Sequence, residues 1–173
     1  PDSGRNDDRG GGIGALAEAM VACNNARLGE DGTESGDATE VAMLRAAGEL
    51  GAGADGSRRR AEFHFDPVLK LMTTVDERDG ELWAHTKGAP EAVLPRCRAR
   101  IEADGGNAPL GNAEREVAAA DVDRLAAQGL RVLAVARRRL AGAVPEDRGA
   151  AERDLVLLGL VAMIDPPRPE VAG

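Results

Sequence analysis

The chain has 173 residues, of which 43% are hydrophobic and 2% aromatic, enough for one domain with a real core. A formal net charge of −8, from 30 acidic and 22 basic residues, argues against nucleic acid or an anionic membrane as the main partner. The cysteines, Cys23 and Cys97, stand far apart with no Cys-x-x-Cys and no neighbouring His pair, so a reduced cytosolic domain fits better than a zinc site or a disulfide framework.

Residues 1–12 are polar and glycine-rich, and a flexible lead-in is expected there. Gly12-Ile13-Gly14 mimics a dinucleotide fingerprint, but no strand precedes it and no βαβ unit surrounds it. Ile13 to Arg27 reads instead as an amphipathic helix with Leu16, Met20 and Cys23 on one stripe. A loop from Leu28 to Gly36 follows. Asp37 has the character of a helix N-cap, with Glu40 three residues on in a capping-box arrangement, and the helix runs to about Leu50.

The period then changes. Arg59–Phe65, Leu69–Glu77 and Glu81–Lys87 alternate as strands do, and Asp79-Gly80 is a hairpin signal. Simple alternation places Phe63 and Phe65 on one face, with Glu62 and His64 on the other. Pro90 opens a short helix that ends near Pro95, and residues 101–111 form a loop or a poor hairpin. Ala113–Gln128 is a helix closed by Gly129. Leu130–Ala136 is β-rich, and Leu155–Ile164 reads as a strand buried on both faces. Asp165-Pro166-Pro167-Arg168 stops that strand with the stiffness of a hinge. The expected class is α/β of the α+β kind: an antiparallel sheet flanked by helices, in one domain over residues 13–164.

No stretch reaches the length of a membrane helix, and the start lacks a signal-peptide layout. The Arg58-Arg59-Arg60 and Arg137-Arg138-Arg139 clusters carry no interleaved aromatics and read as solvated strand edges rather than nucleic-acid patches. His64 and His85 stand singly beside strands, as structural or surface residues rather than metal ligands.

Lysine usage points to chemistry. Of the 22 basic residues only Lys70 and Lys87 are lysine, in a composition that otherwise writes positive charge as arginine. A lysine is a compact point charge on a flexible stem, whereas arginine is a planar fork. Lys87 ends an alternating run, and Gly88 behind it permits close backbone approach. Pro90 then suits the first turn of a helix.

Lys87-Gly88-Ala89-Pro90-Glu91 resembles the nucleotide-domain signature of P-type cation-transporting ATPases. Three further segments match that family in order. Gly36-Asp37-Ala38-Thr39-Glu40 is similar to its Gly-Asp/Glu-x-Thr-Glu motif. Phe65 to Val75 is similar to its Phe-x5-Lys-x-Met-Ser/Thr segment. Asp165-Pro166-Pro167-Arg168 is similar to the motif leading back to the phosphorylation domain. Together they cover roughly residues 20–170.

The resemblance implies an ATP site. Phe65 matches the aromatic on which adenine stacks, and Glu40 the acceptor at the adenine edge. Lys70 matches a lysine near the nucleotide, and Lys87 with Gly88 the floor of its pocket. Arg131 matches the arginine reaching the phosphates. Core packing is the rival role for Phe65, and capping of its own helix the rival for Glu40. No Gly-x4-Gly-Lys-Ser/Thr loop is present, so a Walker-type cradle is excluded.

Asp-Lys-Thr-Gly-Thr, the family's phosphorylated motif, is absent, so the chain is expected to contain no catalytic residue and to bind ATP or ADP without hydrolysing it. Mg²⁺ would serve the parent enzyme, not this chain. The implied partners are the phosphorylation and actuator domains of the same pump, with residues 165–173 as the hinge and the fragment itself monomeric. The implied location is the cytoplasmic side of an integral membrane protein, and the subfamily resembled is that of calcium-type pumps, bacterial ones in particular. Two alternatives compete: an interaction domain of the same fold that has lost nucleotide binding, and an enzyme using Lys87 covalently.

Overall fold

A computed structural model describes residues 11–53 and 56–164. The elements in chain order are α1 (Gly11–Ala22), β1 (Arg27–Leu28), β2 (Glu34–Ser35), α2 (Ala38–Glu49), β3 (Arg58–Asp66), β4 (Leu71–Arg78), β5 (Glu81–Gly88) and α3 (Pro90–Val93), followed by a 3₁₀ turn at Leu94–Arg96. Then come β6 (Cys97–Ile101), β7 (Asn107–Pro109), α4 (Asn112–Ala127), β8 (Leu130–Leu140), α5 (Arg148–Ala151) and β9 (Leu155–Ile164). The expected lead-in residues 1–10 and the hinge Asp165, Pro166, Pro167 and Arg168 lie outside the described residues.

Seven strands form one sheet in the order β3-β4-β5-β8-β9-β6-β7. Every pairing is antiparallel except β6 with β9. Asp79 and Gly80, with φ of 52° and 78°, close the β4–β5 hairpin in the left-handed conformation such two-residue turns need. The smaller β1–β2 hairpin occupies what reads in sequence as a loop.

Helices cover both faces. On one side α1 and α2 pack Ala15, Ala19, Met20, Met43 and Ala47 against Val135 and Leu158 of the sheet. Small residues along α1 let the helices approach closely. The glycines at its start serve the same end: a Cβ on Gly12 would lie 2.6 Å from the Glu102 carbonyl oxygen. Gly12, the first glycine of the segment that mimics a dinucleotide fingerprint, thus serves packing. On the other side Val93, Leu94, Leu110 and Ala118 cover Leu71, Ala134, Ala136 and Leu155.

Two strands depart from simple periodicity. Strand β3 carries an extra residue opposite β4 twice, once between Arg59 and Ala61 and again near its end, where Phe63 pairs with Thr73 but Asp66 with Leu71. This second bulge breaks the alternation, so Phe63 and Phe65 do not share a face. Phe63 packs beside Val75, Ala84 and Leu140, whereas Phe65 lies at the opposite surface with its side exposed. Strand β9 is buried only in its first half, with Ile164 reaching 80% exposure. Its pairing with β6 spans only Leu155–Leu157, and beyond that β8 is its single neighbour.

The arginine clusters are also tied into the fold. Arg59 donates to the Ala22 and Asn24 carbonyls at 2.6 and 3.2 Å, terminating α1 on the edge strand, and lies 3.4 Å from Asp76. Arg60 pairs with Glu77, Arg139 with Glu81, and Arg137 sits 4.7 Å above the Trp83 ring. Partners within the domain, rather than solvent alone, occupy these guanidinium groups.

Candidate functional site

The site begins at the N-terminus of α2. Asp37, at φ −67° and ψ 138°, accepts hydrogen bonds from the Thr39 and Glu40 amides at 2.8 and 3.3 Å. This cap fixes the first turn and aims Glu40 at the sheet. The Glu40 carboxylate does not return to cap its own helix. Its Oε1 meets Lys87 Nζ at 2.7 Å, and its Oε2 accepts from the Asn25 amide at 3.3 Å.

Lys87 is 6% exposed, so its ammonium has given up most of its water for this carboxylate. Charges so placed are tolerated only as a pair. The same face of β4 and β5 is polar deeper in: Thr74 donates to Asp76 at 2.9 Å, and His85 Nδ1 lies 3.4 Å from Asp76. Burial alone would raise the Asp76 carboxyl. The close approach of His85, the hydrogen bond from Thr74 and the charge of Arg59 outweigh it and hold the group below the usual carboxylate range. Burial pushes the neighbouring Cys23 thiol up to about 11.

Gly88 also packs closely against the neighbouring turn. A Cβ there would stand 2.3 Å from the Lys70 carbonyl oxygen and 2.6 Å from Leu71 Cβ. The missing side chain accommodates the β3–β4 turn, whose Lys70 carbonyl accepts from the Ala89 amide at 2.9 Å. Lys70 itself is left-handed, with φ of 60°. Its ammonium projects outward to Glu91 at 3.5 Å.

A cavity of about 470 Å³ opens where these pieces meet. That volume lies within the ordinary range for small-molecule sites, about 300–1,000 Å³. Five of the six residues expected from the sequence line it: Glu40, Phe65, Lys87, Gly88 and Arg131. Lys70 does not line it. Phe65 supplies a ring that is 56% exposed, with Met72 and Leu133 as further apolar wall. Arg131 stands exposed at the rim, 3.3 Å from the Thr39 hydroxyl.

Sequence reading missed Asn25, Glu62 and Met72. Asn25 Nδ2 donates to Glu62 Oε1 at 2.5 Å, and His64 Nδ1 lies 3.2 Å from the same oxygen. The bulge in β3 brings Glu62, His64 and Phe65 to one cavity, against the expected alternation. Met72 was accessible to reasoning, since the Asp79-Gly80 turn fixes the register that sets it opposite Lys87.

A larger groove of about 1110 Å³ lies beyond Asn25, beside the β1–β2 hairpin. No aromatic residue lines it, and its buried acid, Asp76, is already engaged with Arg59. Of the two, it is the smaller cavity that combines an exposed ring, a buried cation and a rim guanidinium.

Fold and cavity together define an α/β domain with a cavity at one end of its sheet. The family model of the P-type ATPase cytoplasmic domain N matches residues 12–170, and the chain belongs to that family. It is the nucleotide-binding domain of a cation ATPase by this membership.

Relatives agree. The chain is 35% identical over 160 residues to "Calcium-transporting ATPase 1" of Lactococcus lactis, covering 90% of this chain and 18% of that protein. It is 38% identical over 157 residues to "Calcium-transporting ATPase" of Bacillus subtilis, covering 86% and 18%. With "Calcium-transporting ATPase 7, plasma membrane-type" of Oryza sativa it shares 34% over 145 residues, covering 79% and 14%. The chain thus spans under a fifth of the relatives it matches. Among the described residues no helix is long and apolar enough to cross a membrane.

Proposed function

We propose that this domain binds ATP and ADP in the 470 Å³ cavity and presents ATP to a phosphorylatable aspartate that lies outside this chain. One observation carries the reading: five residues matched to the family's nucleotide site, drawn from four separate elements, converge on one cavity of suitable size. Phe65 offers a flat apolar face for a base, and stacking of this kind contributes about 1–3 kcal/mol. Arg131 at the rim is placed for the phosphates. Lys87 and Glu40 form a polar floor whose charges are balanced before any ligand arrives.

The cavity is poorly suited to Mg²⁺. Its carboxylates, Asp37, Glu40 and Glu62, each already accept from a neighbouring donor. The metal that phosphoryl transfer requires would be held by the domain carrying the aspartate, where charge develops. The whole protein is read as an ATP-driven cation pump of the calcium type. This domain would stand on the cytoplasmic side, and its partners would be the phosphorylation and actuator domains of the same chain.

Calorimetric titration of the chain with ATP, ADP and GTP tests the proposal. The expected affinity for ATP is weak, high micromolar to millimolar, or about −4 to −5 kcal/mol. ADP should bind comparably, with or without Mg²⁺. Absence of saturable, adenine-dependent binding would overturn it in favour of an interaction domain that has lost its nucleotide.

A further inference from the structure

The β3–β4 turn carries Phe65 and Lys70 and is closed by bonds to Asp66. Asp66 Oδ1 accepts from the Val68 and Leu69 amides at 2.8 and 3.0 Å, and the Lys70 amide donates to the Asp66 carbonyl. Val68 at the tip is 86% exposed. The bulge has also taken residues 64 and 65 out of the ladder, leaving backbone groups that need partners from elsewhere.

For the His64 carbonyl that partner comes through the other face of the sheet. Arg148, the first residue of α5, donates through Nη2 to the His64 carbonyl and through Nη1 to the Leu71 carbonyl at 3.3 Å. One guanidinium therefore grips the backbone just before Phe65 and just after Lys70. Its Cζ lies 6.0 Å from the centroid of the Phe63 ring.

Arg148 is itself fixed by Glu152, which is 4% exposed and whose Oε1 accepts from Arg148 at 2.9 Å and from Thr73 at 2.8 Å. Thr73 in turn shares a 2.7 Å hydrogen bond with Thr86 on β5. The chain Thr86–Thr73–Glu152–Arg148 anchors the grip in the sheet interior, in line with the strands that bear Met72 and Lys87 on the opposite face.

We propose that Arg148 is a positioning residue for nucleotide binding: held by Glu152, it fixes both ends of the Phe65–Lys70 turn from behind the sheet and so sets the stacking ring over the cavity. It touches no ligand. This inference rests on the nucleotide reading for its consequence but not for its geometry. A planar fork with several donors suits two carbonyls and a carboxylate at once, whereas a lysine reaches one or two of them.

The test compares Arg148→Met, Arg148→Lys and Glu152→Gln with the wild-type chain. Two measurements are made: ADP affinity by calorimetry at a temperature where every variant is folded, and amide exchange along the chain without nucleotide. Losing part of the stacking contribution, Arg148→Met should weaken ADP binding roughly three- to tenfold. Arg148→Lys should recover part of it, and Glu152→Gln should fall between.

Exchange should quicken at the Val68, Leu69 and Lys70 amides while that of β8 and β9 stays unchanged. Unchanged ADP affinity in folded Arg148→Met, or an exchange increase spread evenly over the sheet, would overturn the proposal. If the wild-type chain itself fails to bind ADP, the nucleotide reading falls; the exchange pattern still decides whether Arg148 fixes the turn.

Discussion

Lys87 and Glu40, 47 residues apart in sequence, meet at 2.7 Å beneath the cavity, with side chains only 8% and 13% exposed. The lysine that the sequence singles out is therefore a partner before it is a ligand contact. It joins β5 to the first turn of α2, and both walls of the cavity depend on it.

Removing one charge should consequently cost folding stability as well as binding. Truncating one partner of a buried ion pair is worth about 3–5 kcal/mol, because the other charge is left without compensation. Urea unfolding of Lys87→Met should show a loss approaching that range. The double variant Lys87→Met with Glu40→Leu should be more stable than Lys87→Met alone. Additive losses would mean that the pair is not coupled.

The two phenylalanines should separate cleanly. Phe65→Ala should change stability little, since the ring is 56% exposed, and should weaken ATP binding by about 1–3 kcal/mol. Phe63→Ala removes a ring from the cluster of Val75, Ala84 and Leu140 on the opposite face, and should cost about 3 kcal/mol of stability. Denaturant melts and nucleotide titrations on both variants check this.

Arg131→Ala should act on phosphates alone. Its guanidinium is exposed and bonded only weakly to Thr39, at 3.3 Å, so stability should stay within about 0.5 kcal/mol of the wild type. ADP affinity should fall by about 1 kcal/mol, roughly fivefold, while adenosine affinity is unchanged. Parallel titrations with the two ligands make the comparison.

Asp76 gives stability a dependence on acid. Its carboxyl is held below the ordinary range in the folded state, so the unfolded chain binds more protons as pH falls. The stabilisation is present above the unfolded carboxylate pKa and is lost as pH drops through the lower, folded value. The stability difference between wild type and Asp76→Asn should therefore shrink on acidification. A difference constant across the acid range would rule this account out.

Much of the frame was legible from local chemistry. Asp37 caps α2, Asp79-Gly80 closes the hairpin, and Gly129 follows α4, as turn and cap rules require. Cavity residues from four elements were legible only through the resemblance, because no local rule joins Glu40 to Lys87 or Arg131. The bulge in β3 was not readable, since its His64 carbonyl is satisfied by Arg148 from a helix of only four residues, too short to leave a periodic signal. Strand β6 was hidden for a similar reason. Cys97, Ala99 and Ile101 alternate with Arg98 and Arg100, but over five residues only, directly after a proline-containing turn, and the strand's pairing in the sheet depends on β9, more than fifty residues later.

That late partner has a consequence for how the chain is made. Strand β9 is the last described strand, yet it lies between β8 and β6 in the interior of the sheet. While a ribosome is still holding residues 155–164, the nascent chain can assemble β3, β4, β5 and β8 but presents β8 and β6 as two open edges facing each other. Open edges of this kind are templates for pairing with other chains. Translation must pass Ile164 before the sheet can close, so synonymous pauses or truncations in this last segment should favour aggregation far more than similar events in the β1–β2 hairpin.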